Sequence, residues 1–198
     1  MNRSHAFSKY HYGLPIQLSL VICPDDCSSV APEVAFSECS PDVNEARIDK
    51  VYLTNVGQGL ADWGDINEWT SRLSNTGSAI DDIRTLFGIG AKAAPESTEI
   101  KISLGRTIYG KKKHTITFKI DETNPTNHAM LRQLECGGTF LIWYETSGGL
   151  LFGSTDGIVV SIKIDMVIPD DAQQLITYEV TLTWEDRFTE PYIVSPLV

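Results

Sequence analysis

Apolar and polar positions alternate along much of this chain with a period of two, the signature of strands buried on one face. Ile16, Leu18, Leu20 and Ile22 line one face of a first such run, and residues 48–53 predict another strand. From residue 98 the period dominates. Ile100, Ile102 and Leu104, then Ile116, Phe118 and Ile120, flank Lys111-Lys112-Lys113-His114 and predict a long hairpin with the lysines at its tip. Residues 139–145 form a continuous apolar run, expected to be buried on both faces. Ile158, Val160, Ile162, Ile164 and Met166 share the next face; Ile176, Tyr178, Val180, Leu182 and Trp184 share the last. Ser147-Gly148-Gly149, Asp156-Gly157 and Pro169-Asp170-Asp171 are turn sequences between these runs.

Two stretches carry a helical spacing instead. Asn124-Pro125 is an N-cap followed by proline at the first helical position, Met130, Leu131 and Leu134 give an apolar stripe, and Gly137 is a C′ stop. The spacing predicts a helix over 125–135. A shorter helix is expected from Asp65, with Glu68 as an acidic capping-box partner and Ile66, Trp69 and Leu73 on one face. Ile80, Ile83, Leu86 and Phe87 predict one more short helix capped by Ser78, followed by a mobile small-residue loop over 88–94. The fold class is therefore mainly β: a β-sandwich or partly closed barrel of about seven to nine strands with one flanking helix. Residues 1–47, punctuated by Pro15, Pro24, Pro32 and Pro41, read as an extended N-terminal arm. Residues 48–188 read as the β domain. Residues 189–198 form an apolar tail expected to dock on its own domain or on a neighbour.

Charge narrows the function classes. The chain of 198 residues has 26 acidic and 16 basic residues, a formal net charge of −10. Affinity for duplex nucleic acid comes from Lys and Arg neutralising phosphates, so this chain on balance repels it. The distribution is uneven. Residues 101–150 hold seven basic residues against four acids, whereas residues 151–198 hold two against eight. Lys111, Lys112 and Lys113 are the one basic cluster. They read as a solvated, edge-blunting surface or as a contact for an acidic neighbour such as Asp170-Asp171. No apolar run approaches the ~20 residues of a membrane-spanning helix. The polar first ten residues carry no signal-peptide core, so export is not expected.

The search for chemistry yields little. Cys23, Cys27 and Cys39, with His5 or His11, are weak candidates for zinc, but their spacing departs from the usual knuckle and Pro24 interrupts it. Free or buried thiols are the expected state. Cys136 precedes Gly137-Gly138 but would sit at a helix C-terminus, where the dipole disfavours a thiolate. His114, assigned to a turn, and His128, assigned to a helix, have no carboxylate nearby in sequence. Asp81-Asp82 and Asp170-Asp171 are paired carboxylates in positions where Asp is favoured structurally. Gly-x-Ser-x-Gly is absent, and Gly88-x-Gly90 is too short for a dinucleotide fingerprint. No enzyme activity and no cofactor are expected. Trp143 and Trp184 read as core, while Trp63 or Trp69 could serve a binding face.

The order of elements carries a resemblance. The strand with Ile116, Phe118 and Ile120 runs through Asp121-Glu122-Thr123-Asn124-Pro125 into the 125–135 helix. The strand 140–144, a glycine turn, the long strand 158–168, the Pro169-Asp170-Asp171 turn and the strand 176–184 follow. This resembles the tail-tube fold of tailed bacteriophages. Residues 48–53 and 65–69 also resemble structural proteins of phages of gut Bacteroidales, including crAss-like phages. The resemblance implies a virion protein of the tail or head-to-tail connector, made in the host cytoplasm. It implies a homo-oligomeric ring contacting portal, connector or tail proteins, with DNA passing unbound through the lumen. Lys111, Lys112, Lys113, Asp170, Asp171, Tyr192, Ile193 and Leu197 are the expected interface residues. The alternative is a β-sandwich binding module for carbohydrate or protein, without catalysis.

Overall fold

The computed structural model describes residues 47–74, 81–103 and 107–197. The expected strand at 16–22, the cysteines at 23, 27 and 39, and the Ser78 cap lie outside these residues.

The described elements are strands β1 (Ile48–Asn55), β2 (Arg84–Lys92), β3 (Glu96–Lys101), β4 (Thr107–Ile120), β5 (Gly138–Thr146), β6 (Leu150–Phe152), β7 (Ile158–Val167), β8 (Thr177–Asp186) and β9 (Tyr192–Val194). Helix α1 (Ile66–Leu73) follows β1, and α2 (Pro125–Leu134) follows β4. Six strands pair antiparallel in the order β1-β2-β4-β8-β7-β5, and β5 pairs back onto β1. The sheet is thus a closed six-stranded barrel. Closure leaves these strands no free edge, as a partly closed barrel would. β6 pairs with β5 and β9 with β6, while β3 extends the sheet from the N-terminal half of β4.

Period two sets the interior. Ile116, Phe118 and Ile120 of β4, Ile158, Val160, Ile162 and Ile164 of β7, and Tyr178, Val180, Leu182 and Trp184 of β8 meet in one core. That core fills the barrel with side chains, so the barrel is not itself a channel. β5 is buried on both faces, as its continuous apolar run requires. Ile142 and Tyr144 face inward, whereas Leu141 and Trp143 join an outer cluster with Tyr52, Leu60, Trp69, Ile83 and Leu151. α1 covers this outer cluster through Trp69, which is fully buried. Leu131 and Leu134 of α2 pack into the barrel core beside Tyr178.

The two helix starts illustrate different cap chemistry. Asn124 accepts from the Asn127 N–H at 2.9 Å, with Pro125 in the first turn, as its sequence predicts. Asp65 accepts from the Asn67 N–H at 2.9 Å, but Glu68 does not reach back to Asp65. Its carboxylate instead accepts from the Ala61 and Asp62 N–H groups at 2.8 and 2.9 Å, which fastens the preceding loop. Ile66, expected on the buried stripe, is 50% exposed. Arg72 ties α1 down by donating to the carbonyls of Gln58, Gly59 and Asp81.

The expected helix ending at Phe87 and the mobile loop over 88–94 are both corrected: Arg84–Lys92 is strand β2. Its pattern is inverted relative to an ordinary strand. Phe87 and Ile89 point outward, 61% and 58% exposed, and Gly90 is buried opposite Phe118. A Cβ on Gly90 would lie 2.6 Å from Phe118 Cδ2, so the ring occupies the space a side chain would need. The lysine cluster is also relocated. It lies within β4, where Lys112 and Lys113 are paired across to β3 and β8. Met166, near the end of β7, and Ile176, just before β8, both expected on buried faces, are 44% and 42% exposed.

Candidate functional site

The end of the barrel where β2 and β8 finish and the pairing of β4 with β8 begins carries a buried polar group. Antiparallel pairing places Lys92 at the end of β2, His114 opposite Trp184, and Tyr144 on β5 at this level. Glu190 closes over them from the C-terminal segment. It is buried, and both of its oxygens are partnered. Trp184 Nε1–H donates to Oε1 at 3.0 Å; the Tyr144 hydroxyl donates to Oε2 at 3.3 Å, and the Lys92 ammonium forms an ion pair with the same oxygen. The ammonium also lies 5.3 Å from the Trp184 ring centroid, within cation–π range. His114 is fully buried and stacked on Trp184, its ring 10° from parallel. Its Nδ1 approaches Glu190 Oε1 at 3.3 Å, but neither ring nitrogen makes an aligned hydrogen bond among the described residues. The assignment of His114 to a turn is therefore corrected: it lies within β4, and the carboxylate it approaches is distant in sequence.

A second buried carboxylate lies on the outer side of β5. Glu145 accepts from Lys50 Nζ at 2.9 Å, the Tyr52 hydroxyl at 2.6 Å and the Ser195 hydroxyl at 3.2 Å. The two groups share a plan: a carboxylate, a lysine and a tyrosine, joining the barrel to the C-terminal segment. Burial raises the Tyr144 hydroxyl far above the ordinary tyrosine range, and the nearby Glu190 charge adds to it. Burial does the same to Tyr52, helped by its hydrogen bond to Glu145. Both tyrosines therefore act as neutral donors to a carboxylate. With every carboxylate oxygen engaged, these groups are built to hold a segment in place.

The segment they hold is the apolar tail. β9 pairs with β6, Ile193 and Leu197 pack on the outer cluster, and Ser195 is buried. Of the expected interface residues, Ile193 and Leu197 thus dock on their own domain, whereas Tyr192 remains 58% exposed beside Phe152. The sequence held one signal for the clamp: Glu190 is the sole charged residue in the tail.

Trp69 is not available as a binding platform. It is fully buried, packs against Tyr52 and Trp143, and donates its Nε1–H to the Trp63 carbonyl at 2.8 Å. Asp82 is buried and pairs with Arg84 at 3.2 Å, a local structural role. Asp170 and Asp171 lie exposed in the turn after β7, with Asp171 accepting from the Gln173 N–H at 2.9 Å. Cys136 is free and exposed. Among the described residues no three His, Cys, Asp or Glu side chains group as a metal site, and no helix is long and apolar enough to cross a membrane.

Large apolar side chains are exposed at both ends of the barrel. One set is on the β3–β4 hairpin: Ile100, Ile102, Ile108 and Tyr109. The other spans the end of β7 and the approach to β8: Met166, Val167, Ile168, Leu175 and Ile176.

No family model matches this chain, and no curated protein does. Among solved structures, a chain from the six-fold symmetrised cryo-EM structure of the anti-feeding prophage baseplate is similar over 78% of this chain and 96% of its own. The TM-score is 0.32 and the identity 8%.

Proposed function

We propose that this chain is a virion structural protein of a tailed phage. It would self-assemble into a ring or tube of the tail or head-to-tail connector and meet portal, connector or tail proteins there. The observation that carries the reading is the exposed apolar surface at both ends of a barrel whose own interior is filled. Such surface in water is unfavourable and marks contact with another protein. Two further features support it. The order of strands around the α2 helix resembles a tail-tube subunit. The net charge of −10 suits a conduit that lets DNA slide, because an acidic wall does not hold phosphates. A conduit would have to form between subunits. No catalytic role is proposed: both oxygens of Glu145 and of Glu190 are engaged by structural partners, and Asp82 pairs with Arg84.

Native mass determination with negative-stain microscopy across a concentration series tests the reading. Closed rings or stacked tubes are expected. A chain that stays monomeric at every concentration, alone and mixed with candidate portal or tail proteins, would overturn it.

A further inference from the structure

The two apolar ends of the barrel differ in charge, and that difference specifies a partner. Among the described residues the β3–β4 hairpin carries Lys101, Lys111, Lys112 and Lys113 against Glu96 and Glu99, and β8 sets Asp186 and Glu185 opposite Lys112 and Lys113, so Lys111 and Lys101 are the lysines with no acid opposite them in register. The segment 165–179 carries Asp165, Asp170, Asp171 and Glu179 and no basic residue; Asp165 pairs with Lys163 at 2.6 Å and Glu179 with Lys119 at 3.5 Å, which leaves Asp170 and Asp171 as its exposed acids outside an ion pair with Lys or Arg among the described residues. Antiparallel pairing puts these segments at opposite ends of the same two strands. Lys112 lies opposite Asp186 at one end of the β4–β8 ladder, and Ile120 lies opposite Tyr178 at the other. Strands of roughly 30 Å separate them. The hairpin is all exposed along β3, whose described pairing is with β4 alone. Its neighbours Ile100 and Ile108, directly opposite in register, are 44% and 45% exposed. At the far end, Ile168 and Leu175 are 63% and 68% exposed beside the aspartates.

We infer that copies of this chain join head to tail, the basic β3–β4 hairpin of one copy seating on the acidic 165–179 end of a second copy. Each surface pairs an apolar patch with a charge that the other complements. Like ends repel, so a two-fold, end-to-same-end contact is disfavoured. A contact between different patches is heterologous and propagates from copy to copy, closing only if the rotation returns on itself. This inference rests on the self-assembly reading above and names its surfaces and its polarity.

Two charge-reversed variants of the full chain test it: Lys111→Glu with Lys112→Glu and Lys113→Glu, and Asp170→Lys with Asp171→Lys. All of these side chains lie on exposed or half-exposed strand or turn positions, and circular dichroism and thermal unfolding confirm that each variant is folded. Each variant alone is expected to self-associate roughly a hundredfold more weakly than the native chain. Mixing the two, or combining all five changes in one chain, restores opposite charges at every joint and is expected to restore assembly. If the native chain assembles and both variants assemble equally well, this contact is wrong while self-assembly stands. If the mixture fails to recover assembly, complementarity between these two ends is refuted. If the native chain is a monomer throughout, the self-assembly reading falls and this one with it.

Discussion

Gly90 shows how a barrel interior dictates a single residue. Its position faces the Phe118 ring, and a Cβ there would lie 2.6 Å from that ring. Gly90→Val is expected to lower stability by about 2 kcal/mol through overpacking, read as a lower urea midpoint with an unchanged slope. The buried Lys92–Glu190 pair sets a different constraint. Lys92→Met alone leaves the Glu190 carboxylate buried without its cation, at a cost of about 3 kcal/mol. Lys92→Met with Glu190→Gln removes both charges, keeps an acceptor for the Trp184 and Tyr144 donors, and is expected to recover most of that loss. A double variant as unstable as the single one refutes the pairing. The tyrosines add a pH dependence. Tyr52, Tyr144 and Tyr178 all have hydroxyls raised by burial. The unfolded chain releases these protons near pH 10, whereas the folded chain retains them. Stability contributed by these groups is therefore full below about pH 10 and falls as pH rises above it. Absorbance at 295 nm should show these three tyrosines ionising only as the circular dichroism signal is lost. Trp184 and Tyr178 were legible as core because each sits in phase on an apolar strand face. Glu190 and Glu145 were not, because their lysine partners lie 98 and 95 residues away in sequence.

At the level of elements, the clearest case is α2. Asn124 and Pro125 start it, Leu131 and Leu134 bury its stripe, and it ends within one residue of the expected stop. All of this is local chemistry, so the sequence displays it. β2 is the opposite case. Ile83, Leu86 and Phe87 are spaced like a helix face, yet the segment is a strand because β1 and β4 both pair with it. Its glycines look like loop residues until the Phe118 ring is placed against them. The C-terminal strap joins local and distant causes. Its apolar composition requires a cover, but which surface it finds is set by β6 and by the Glu190 and Glu145 groups. β9 pairs over only three residues, so the side-chain anchors carry much of its attachment. Ile193→Asp is expected to release the strap and leave the barrel folded. Hydrogen exchange should then accelerate across 192–197 while β4 and β8 stay protected; loss of protection throughout would mean that the strap is integral to the barrel.

For the whole molecule, the barrel separates two apolar ends of opposite charge by the length of β4 and β8. If these ends join copies, assembly is sensitive to salt, because exposed charges are screened beyond about 10 Å at 0.1 M. Raising salt to about 0.5 M is expected to shift the native chain toward smaller species, while the apolar contacts persist. Light scattering across a salt series measures this, and assembly indifferent to salt would assign the joint to apolar contact alone. Local sequence patterns by themselves determined a mainly β chain through period two, its turns through Gly, Pro and Asp runs, the α2 helix through its spacing and caps, and most of the core, since each of these depends on neighbours along the chain. The net acidity and the basic 111–113 run were equally direct. Only the tertiary structure decided that the sheet closes, that the lysines lie within a strand, and that His114 stacks in the core. It alone decided that Trp69 is buried and that the tail is clamped. Each of these follows from pairing or packing between segments far apart in sequence, where the pattern within one segment carries no information about its partner.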